Sequence, residues 1–200
     1  RLHVMLEEAN AAAWQFGCRQ LAEAIATGGN FAFETTLGAS TIPGLLAQAS
    51  EDPFPGTALE TALVGRHPHL DFWQWETDAD RAVARRCLEA MDLAGLESRD
   101  VATLSGGERR RLAIATVLAQ DPGVFLLDEP VQQLDPPHEL DVLHRFRGLA
   151  DAGRTVVLSL HDPGLAARFA DSVLLLFGDG RWRQGAVADV LSEATVAELY

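Results

Sequence analysis

Two adjacent carboxylates and a histidine follow apolar runs that have the length of strands. Asp128 and Glu129 come directly after residues 124–127, and His161 comes directly after residues 155–160. Because ligands bind beyond the carboxyl ends of the strands in an open parallel sheet, these side chains are expected at one site. One carboxylate could hold Mg²⁺, the other could orient or deprotonate a water, and the histidine could reach a transferred phosphate. A solvated turn and a structural histidine are the alternatives.

A short glycine-containing segment opens the helix that precedes the first of these runs. Ser105 and Glu108 have the spacing of a capping box, in which each side chain satisfies the backbone N–H of the other residue. Gly106 and Gly107 would also let a phosphate approach the bare backbone at a helix N-terminus, where free N–H groups and the helix dipole attract anions. The residues alone allow both interpretations.

The composition limits the possible chemistry. The 200 residues carry a net charge of −13, and all 16 basic residues are arginines. A surface this acidic argues against nucleic-acid binding, which relies on clustered cations. Without lysine, the sequence can form neither a Schiff base nor the lysine contact of a Walker A phosphate loop. Cys18 and Cys87 lie outside any CxxC spacing, as expected for a reduced cytosolic chain.

Strands and helices alternate in the second part of the sequence. Apolar runs at 124–128, 155–160 and 172–177 predict strands, the first of them buried on both faces as in parallel sheets. The alternation predicts an α/β fold with a parallel sheet. The predicted helices there cover 58–64, 78–93, 108–120, 138–150 and 164–170. Nearer the N-terminus, the patterns predict helices over 11–27 and 41–49, a strand over 30–34, and a turn-rich seam at 51–56.

Four motifs, in this order along the chain, resemble those of ATP-binding cassette (ABC) ATPases. Leu-Ser-Gly-Gly-Glu at 104–108, followed by Arg109–Arg111, is similar to the signature motif, and 124–130 is similar to the Walker B strand. Gln-Leu-Asp at 133–135 resembles the D-loop, and Leu-His-Asp at 160–162 resembles the switch histidine segment. The resemblance implies a RecA-like P-loop NTPase fold, with three layers around a parallel sheet and an added helical subdomain.

The same resemblance implies a role for each motif. Asp128 would hold Mg²⁺ through water, Glu129 would be the catalytic base, and His161 would contact the γ-phosphate of ATP. The signature residues would close over ATP held by the opposite subunit, with the D-loop carboxylate nearby: Ser105, Gly106, Gly107, Glu108 and Asp135. The D-loop departs from the family pattern, because glutamines occupy 132–133 where small residues are usual. That change could loosen communication between subunits.

Residues 53–70 resemble the region after the Q-loop in importers of the iron-siderophore, haem or cobalamin type. Gln48 lies where the Q-loop glutamine belongs, and it is equally a solvent-facing helix residue. His67 and His69 suggest a metal site, but i and i+2 side chains on a helix point apart. The resemblance implies an ATP-hydrolysing importer subunit that uses ATP and Mg²⁺. Its partners would be a second ATPase subunit and permease subunits, and it would be cytoplasmic, peripheral on the inner face of the plasma membrane.

One part of the family pattern is missing. A Gly-rich loop with Lys-Ser/Thr should begin at or before residue 10, and nothing in 1–47 resembles it. We therefore expect an ABC ATPase truncated on its Walker A side, and we expect the isolated chain to be inactive. A non-catalytic module that gives its signature motif in trans is one alternative. DNA-repair ATPases share the four motifs, but the net charge and the 53–70 segment argue against them.

Residues 1–50 have a different resemblance, to zeta-toxin-like P-loop kinases, through 30–37 and 40–43. Glu34 would face the substrate in such a kinase, and a strand followed by a capped helix is the alternative interpretation. A small-molecule kinase fragment is therefore a further hypothesis. The predicted domains are a kinase-like or degenerate N-terminal piece at 1–50 and an ABC ATPase domain at 51–200. The second divides into a helical subdomain at about 57–120 and a core with Walker B, D-loop and switch histidine at about 121–200.

Overall fold

A computed structural model describes residues 2–7, 56–71, 73–177 and 179–199. Within them, five strands form one sheet in the order β2-β3-β1-β4-β5. The strands are β1 (Leu2–Glu7), β2 (Val124–Leu127), β3 (Thr155–Leu160), β4 (Ser172–Leu176) and β5 (Trp182–Ala186). The first four run parallel, and β5 pairs antiparallel with β4. The predicted parallel sheet is thus confirmed.

The strand at the start of the described chain lies in the middle of the sheet. β1 pairs with β3 from Leu2 opposite Val156 to Leu6 opposite Leu160. On its other side it pairs with β4, from His3 opposite Ser172 onwards. The sequence patterns predicted no element here, and they also missed β5, whose residues are mostly polar and exposed. The division of the chain at residues 50–51 stays a prediction.

Helices pack in two groups. The first group is α1 (Ala58–Val64), α2 (Asp78–Ala90) and α3 (Gly106–Gln120), which pack against one another. The remaining helices lie among or after the strands: α4 (Pro136–Asp151), α5 (Pro163–Phe169), α6 (Val187–Val190) and α7 (Glu193–Leu199). Two short 3₁₀ turns cover His67–His69 and Val101–Thr103. No helix in the described residues is both long and apolar enough to span a membrane.

Capping chemistry sets the helix starts. Thr57, Thr77 and Ser105 each form a complete capping box at the start of α1, α2 and α3, which satisfies backbone N–H groups that the helix leaves open. The predicted end of α2 at residue 93 is wrong. The helix stops at Ala90, because Asp92 adopts a left-handed conformation with φ of 54°.

The apolar interior lies between the sheet and its covering helices. Phe125 of β2 and Phe146 of α4 are fully buried and meet edge to face, with ring centroids 5.8 Å apart. The prediction that the 124–128 strand is buried on both faces is wrong, however. Leu126 remains 39% exposed, because β2 is an outer strand of the described sheet.

Candidate active site

Parallel pairing brings the ends of β2 and β3 together. Leu127 is in register with Leu158, so the chain leaves β2 at Asp128 directly beside Ser159. The Ser159 hydroxyl donates to Asp128 Oδ1 at 2.7 Å and accepts the backbone N–H of Glu129, also at 2.7 Å. Ser159 is buried and Asp128 is exposed. One hydroxyl therefore fixes both the carboxylate that ends the strand and the backbone that carries the next one.

Glu129 and His161 meet across the same strand ends. His161 Nε2 lies 2.6 Å from Glu129 Oε1, within hydrogen-bond distance. Glu129 is 28% exposed and His161 is 63% exposed, so the pair faces solvent at the edge of the site. Glu129 also has a φ of 44°, in the left-handed region that favours glycine. A residue held there needs its neighbours to fix the backbone.

Arg110, on the first turns of α3, supplies part of that constraint. Its Nη2 donates to the carbonyl of Asp128 at 2.9 Å and to the carbonyl of Glu129, and its Nε donates to the carbonyl of Pro130 at 3.2 Å. Burial lowers the pKa of the Arg110 guanidinium, and the nearby charges of Asp128 and Glu129 oppose that shift. Because arginine stays protonated in proteins, a charged guanidinium faces three successive backbone carbonyls.

The start of α3 forms the predicted capping box. Glu108 N–H donates to Ser105 Oγ at 3.2 Å, and Ser105 N–H donates to Glu108 Oε2 at 2.6 Å. Hydrogen bonds to the Glu108 carboxylate, first from the Ser105 backbone N–H and then from the Ser105 side chain, lower the pKa of that carboxyl. The structural interpretation of this segment is therefore confirmed. It does not exclude the phosphate-binding one, because the box leaves the other N–H groups of the first turn without a helical partner.

The two glycines of this segment sit in open surroundings. A Cβ on Gly106 would meet nothing within 4 Å, and one on Gly107 would meet only the carbonyl of Gln133, at 3.8 Å. The helix N-terminus is accordingly accessible and lies beside the loop that precedes Asp135.

Asp135 belongs to a separate cluster with a histidine. It forms a hydrogen-bonded ion pair with Nδ1 of His138, while Nε2 of His138 lies 3.3 Å from Asp92 Oδ2. The bond to Asp135, with a smaller contribution from Asp92, raises the pKa of His138, and His138 in turn lowers the pKa of Asp135. Asp135 begins α4 without a side-chain capping bond, so its carboxylate is used on His138 instead.

The remaining predicted residues lie apart from this site or outside the described residues. His67 Nε2 is 3.3 Å from Glu76 Oε1, and His69 Nε2 is 2.7 Å from the carbonyl of Gln120. No group of three or more His, Cys, Asp or Glu side chains that could hold a metal ion occurs among the described residues. Gln48 and Glu34 lie outside the described residues, and their roles stay predictions.

Sequence reasoning missed two residues that contact the candidate site. Ser159 is the one hydroxyl inside an otherwise apolar strand after Thr155, two residues before His161, and that break in the pattern was a usable signal. Arg110 lies inside the Arg109–Arg111 run, and nothing in the sequence separates it from its two neighbours.

The donor chemistry fits a magnesium ion at the end of β2. Mg²⁺ prefers oxygen ligands and keeps several waters, and Asp128 presents an exposed carboxylate whose Oδ1 is oriented by Ser159. The phosphate side is different. The 200 residues contain no lysine to neutralise a phosphate chain.

Comparison with known proteins gives one consistent answer. Residues 36–132 match the family model for "ABC transporter". A hemin import ATP-binding protein of Burkholderia ambifaria is 40% identical over 167 residues, covering 78% of this chain and 61% of that protein. An achromobactin transport ATP-binding protein of Dickeya dadantii is 36% identical over 157 residues, covering 78% of this chain and 58% of that protein. The chain thus spans about three fifths of the length of these relatives.

A solved structure agrees at the level of the fold. A chain from a metal-chelate type ABC transporter in an inward-facing conformation superposes with a TM-score of 0.72 at 23% identity. The match covers 99% of this chain and 76% of the other. The predicted P-loop NTPase fold of ABC ATPases is confirmed.

Proposed function

This chain belongs to the ABC transporter family of ATPases, and on that premise we propose that it is part of the ATP-binding subunit of an importer for an iron chelate, haem or cobalamin. Its cofactors are ATP and Mg²⁺. Its partners are a second ATPase subunit and the membrane-spanning permease, which places it on the cytoplasmic face of the plasma membrane. The names of its relatives, which include hemin and achromobactin transport proteins, support this substrate range.

One juxtaposition carries the proposal. Glu129 Oε1 and His161 Nε2 lie 2.6 Å apart at neighbouring strand ends, beside the Asp128 carboxylate that Ser159 orients. A carboxylate that takes a proton from water, next to a histidine and a metal-binding carboxylate, is the arrangement that hydrolysis of a phosphoanhydride requires.

Each side chain has a distinct task in ATP + H₂O → ADP + phosphate. Glu129 orients the attacking water and accepts its proton, and His161 holds the Glu129 carboxylate towards the nucleotide. Asp128 holds Mg²⁺, which neutralises charge on the phosphates when it is bound. At the start of α3, the backbone N–H groups around Ser105 and Gly107 face the phosphates of a nucleotide on the opposite subunit, because a helix N-terminus attracts anions.

Because these 200 residues contain no lysine, we expect them to need a partner subunit that holds the nucleotide. Without a lysine on the phosphates, the chain's own Walker B side should bind ATP weakly. The chain can still contribute its α3 N-terminus to a nucleotide that a partner holds. We therefore expect no turnover from the isolated chain and turnover when a suitable partner is added.

A complementation assay tests this expectation. The partner is a homologous ATPase subunit with an intact Gly-Lys-Ser/Thr loop whose own signature serine is replaced by arginine, so that it is inactive alone. Adding this chain should restore ATP hydrolysis, and Ser105→Arg should abolish the restoration because the arginine side chain blocks the helix N-terminus. Ser98→Arg, at an exposed position outside the site, is the matched control.

Two outcomes would contradict the proposal. One is a mixture that stays inactive although both chains are folded. The other is ATP turnover by the isolated chain that is lost in Glu129→Gln. That result would contradict the expected need for a partner, because the chain would hold and hydrolyse ATP without a phosphate-binding lysine, and it would leave the role of Glu129 as base intact.

A further inference from the structure

Arg110 connects two parts of the molecule that are distant in sequence. It lies on α3, a few residues after the signature segment, and its guanidinium donates to the carbonyls of Asp128, Glu129 and Pro130. These three residues form the loop that leaves β2. A planar guanidinium with five fixed donors can span successive carbonyls in a way that the point charge of a lysine cannot.

The backbone of this loop needs contacts that hold its conformation. Glu129 has a φ of 44°, a conformation that a residue with a side chain holds only when its surroundings determine it. Ser159 fixes the N–H of Glu129 from the β3 side, at 2.7 Å. Arg110 fixes the carbonyl of the same residue from the α3 side. The two contacts hold the N–H and the carbonyl of Glu129, and the Glu129 side chain is directed at His161.

We infer that Arg110 is a positioning residue for Glu129, tying the loop that carries the proposed catalytic base to the helix that carries the signature motif. The inference rests on the proposed function for the identity of the base. Because one rigid helix bears both Arg110 and Ser105, a displacement of the signature helix is passed directly to the backbone of Glu129. The orientation of Glu129 beside one nucleotide is thereby linked to the helix whose N-terminus faces the nucleotide on the opposite subunit.

The chain offers a matched control one residue away. Arg109 has the same side chain on the same helix turn but is exposed. Arg110→Met removes the donors and keeps much of the apolar stem, while Arg109→Met makes the same chemical change at the surface. Arg110→Lys keeps the charge and a single donor group, so it should restore part of the effect.

Backbone hydrogen exchange measured by NMR on the isolated chain is the test. The amide of Glu129 should exchange about tenfold faster in Arg110→Met than in Arg109→Met, because the loop opens more often once its carbonyls lose a charged donor. Amides in the middle of β3 should be unchanged. The ¹⁵N resonance of His161 Nε2 should move as well, because its bond to Glu129 depends on the loop. Arg110→Lys should fall between wild type and Arg110→Met.

Two results would overturn the inference. Equal exchange at Glu129 in Arg110→Met and Arg109→Met would show that the loop holds itself. Faster exchange throughout the chain, with no extra effect at residues 128–130, would show a general stabilising role only. If Arg110→Met does not fold, Arg110→Lys and Arg110→Gln carry the same comparison. The measurement uses no nucleotide, so it stands even if the complementation assay fails.

Discussion

At the scale of single residues, one buried hydroxyl inside the sheet, that of Ser159, supports the candidate site. Burying a hydroxyl is unfavourable unless it is hydrogen-bonded, and Ser159 is 4% exposed. It both donates to Asp128 and accepts from Glu129, so its hydrogen-bonding capacity is used within the site. A serine in this position therefore fits the core and orders two residues of the candidate site simultaneously.

The pair formed by His138 and Asp135 gives a prediction on pH. Carboxylates contact both ring nitrogens of His138, which favours the doubly protonated ring. The hydrogen bonds to Asp135 and Asp92 raise the pKa of His138, and they outweigh the opposing effects of burial and of the Arg111 charge. A group whose pKa is higher in the folded than in the unfolded state stabilises the fold at low pH, and that stabilisation is lost as pH rises through the raised pKa.

We therefore expect His138→Gln to lose more unfolding free energy at pH 6 than at pH 8.5, measured by urea denaturation. The lower limit of the window is set by Asp135, whose lowered pKa means that its contribution is lost only at more acidic pH. His144→Gln is a control on the same helix, away from Asp135 and Asp92, and should show a smaller difference. A loss that is equal at both pH values would contradict the assigned charge on His138.

Sequence reasoning predicted which residues meet at the candidate site, but it did not predict the residues that support them. Asp128, Glu129 and His161 were predicted to converge because they follow strands of one parallel sheet, and the 2.6 Å contact between Glu129 and His161 fits that logic. The contacts of Arg110 depend on how α3 packs over the β2 loop. That packing is set by tertiary structure, and local spacing does not encode it.

At the scale of elements, close packing of α1 against α3 depends on Gly65. A Cβ built on this residue would lie 2.2 Å from the carbonyl oxygen of Thr116 and 3.1 Å from Ala119 Cβ. The nearest obstacle is backbone, which cannot move without shifting the helix. We expect Gly65→Ala to destabilise the protein by about 1–3 kcal/mol, the usual cost of overpacking, as measured by urea denaturation.

Gly148 provides the matched control for this change. It lies in the interior of α4, where a Cβ would meet nothing within 4 Å. Gly148→Ala should stabilise the protein by about 0.5–1 kcal/mol, because alanine has the higher helix propensity. If both substitutions changed the free energy of unfolding in the same direction, a steric clash at Gly65 would not explain the result, and the role of this glycine in the packing of α1 against α3 would be contradicted.

Elements with strong local signals were predictable, and those defined by pairing were not. The bounds of β3 were predicted as observed, and each helix predicted within the described residues is present with small shifts at its ends. β1 and β5 were missed because their residues carry weak signals: β1 has His3 among its apolar residues and ends at Glu7, and β5 is polar. What makes them strands is a partner across the sheet, which a single sequence does not reveal.

At the scale of the whole molecule, the central place of β1 leads to a prediction about folding units. The sequence patterns predicted a boundary at residues 50–51, with a truncated ABC ATPase domain at 51–200. In the structure, β1 lies between β3 and β4 and supplies the backbone partners along one edge of each. Without it, backbone groups of both strands lose hydrogen bonds inside the sheet, which is costly for groups that water cannot reach.

We therefore expect residues 51–200 alone to show no cooperative urea transition, whereas the full chain does, with circular dichroism as the measurement. Val4→Pro in the full chain separates the strand from the rest of the deleted segment. Proline removes a ladder N–H and is not tolerated in a strand paired on both sides, so this variant should also lose most of its stability. Cooperative unfolding of residues 51–200, with the denaturant dependence of the full chain, would contradict the role of β1 and support a boundary near residue 50.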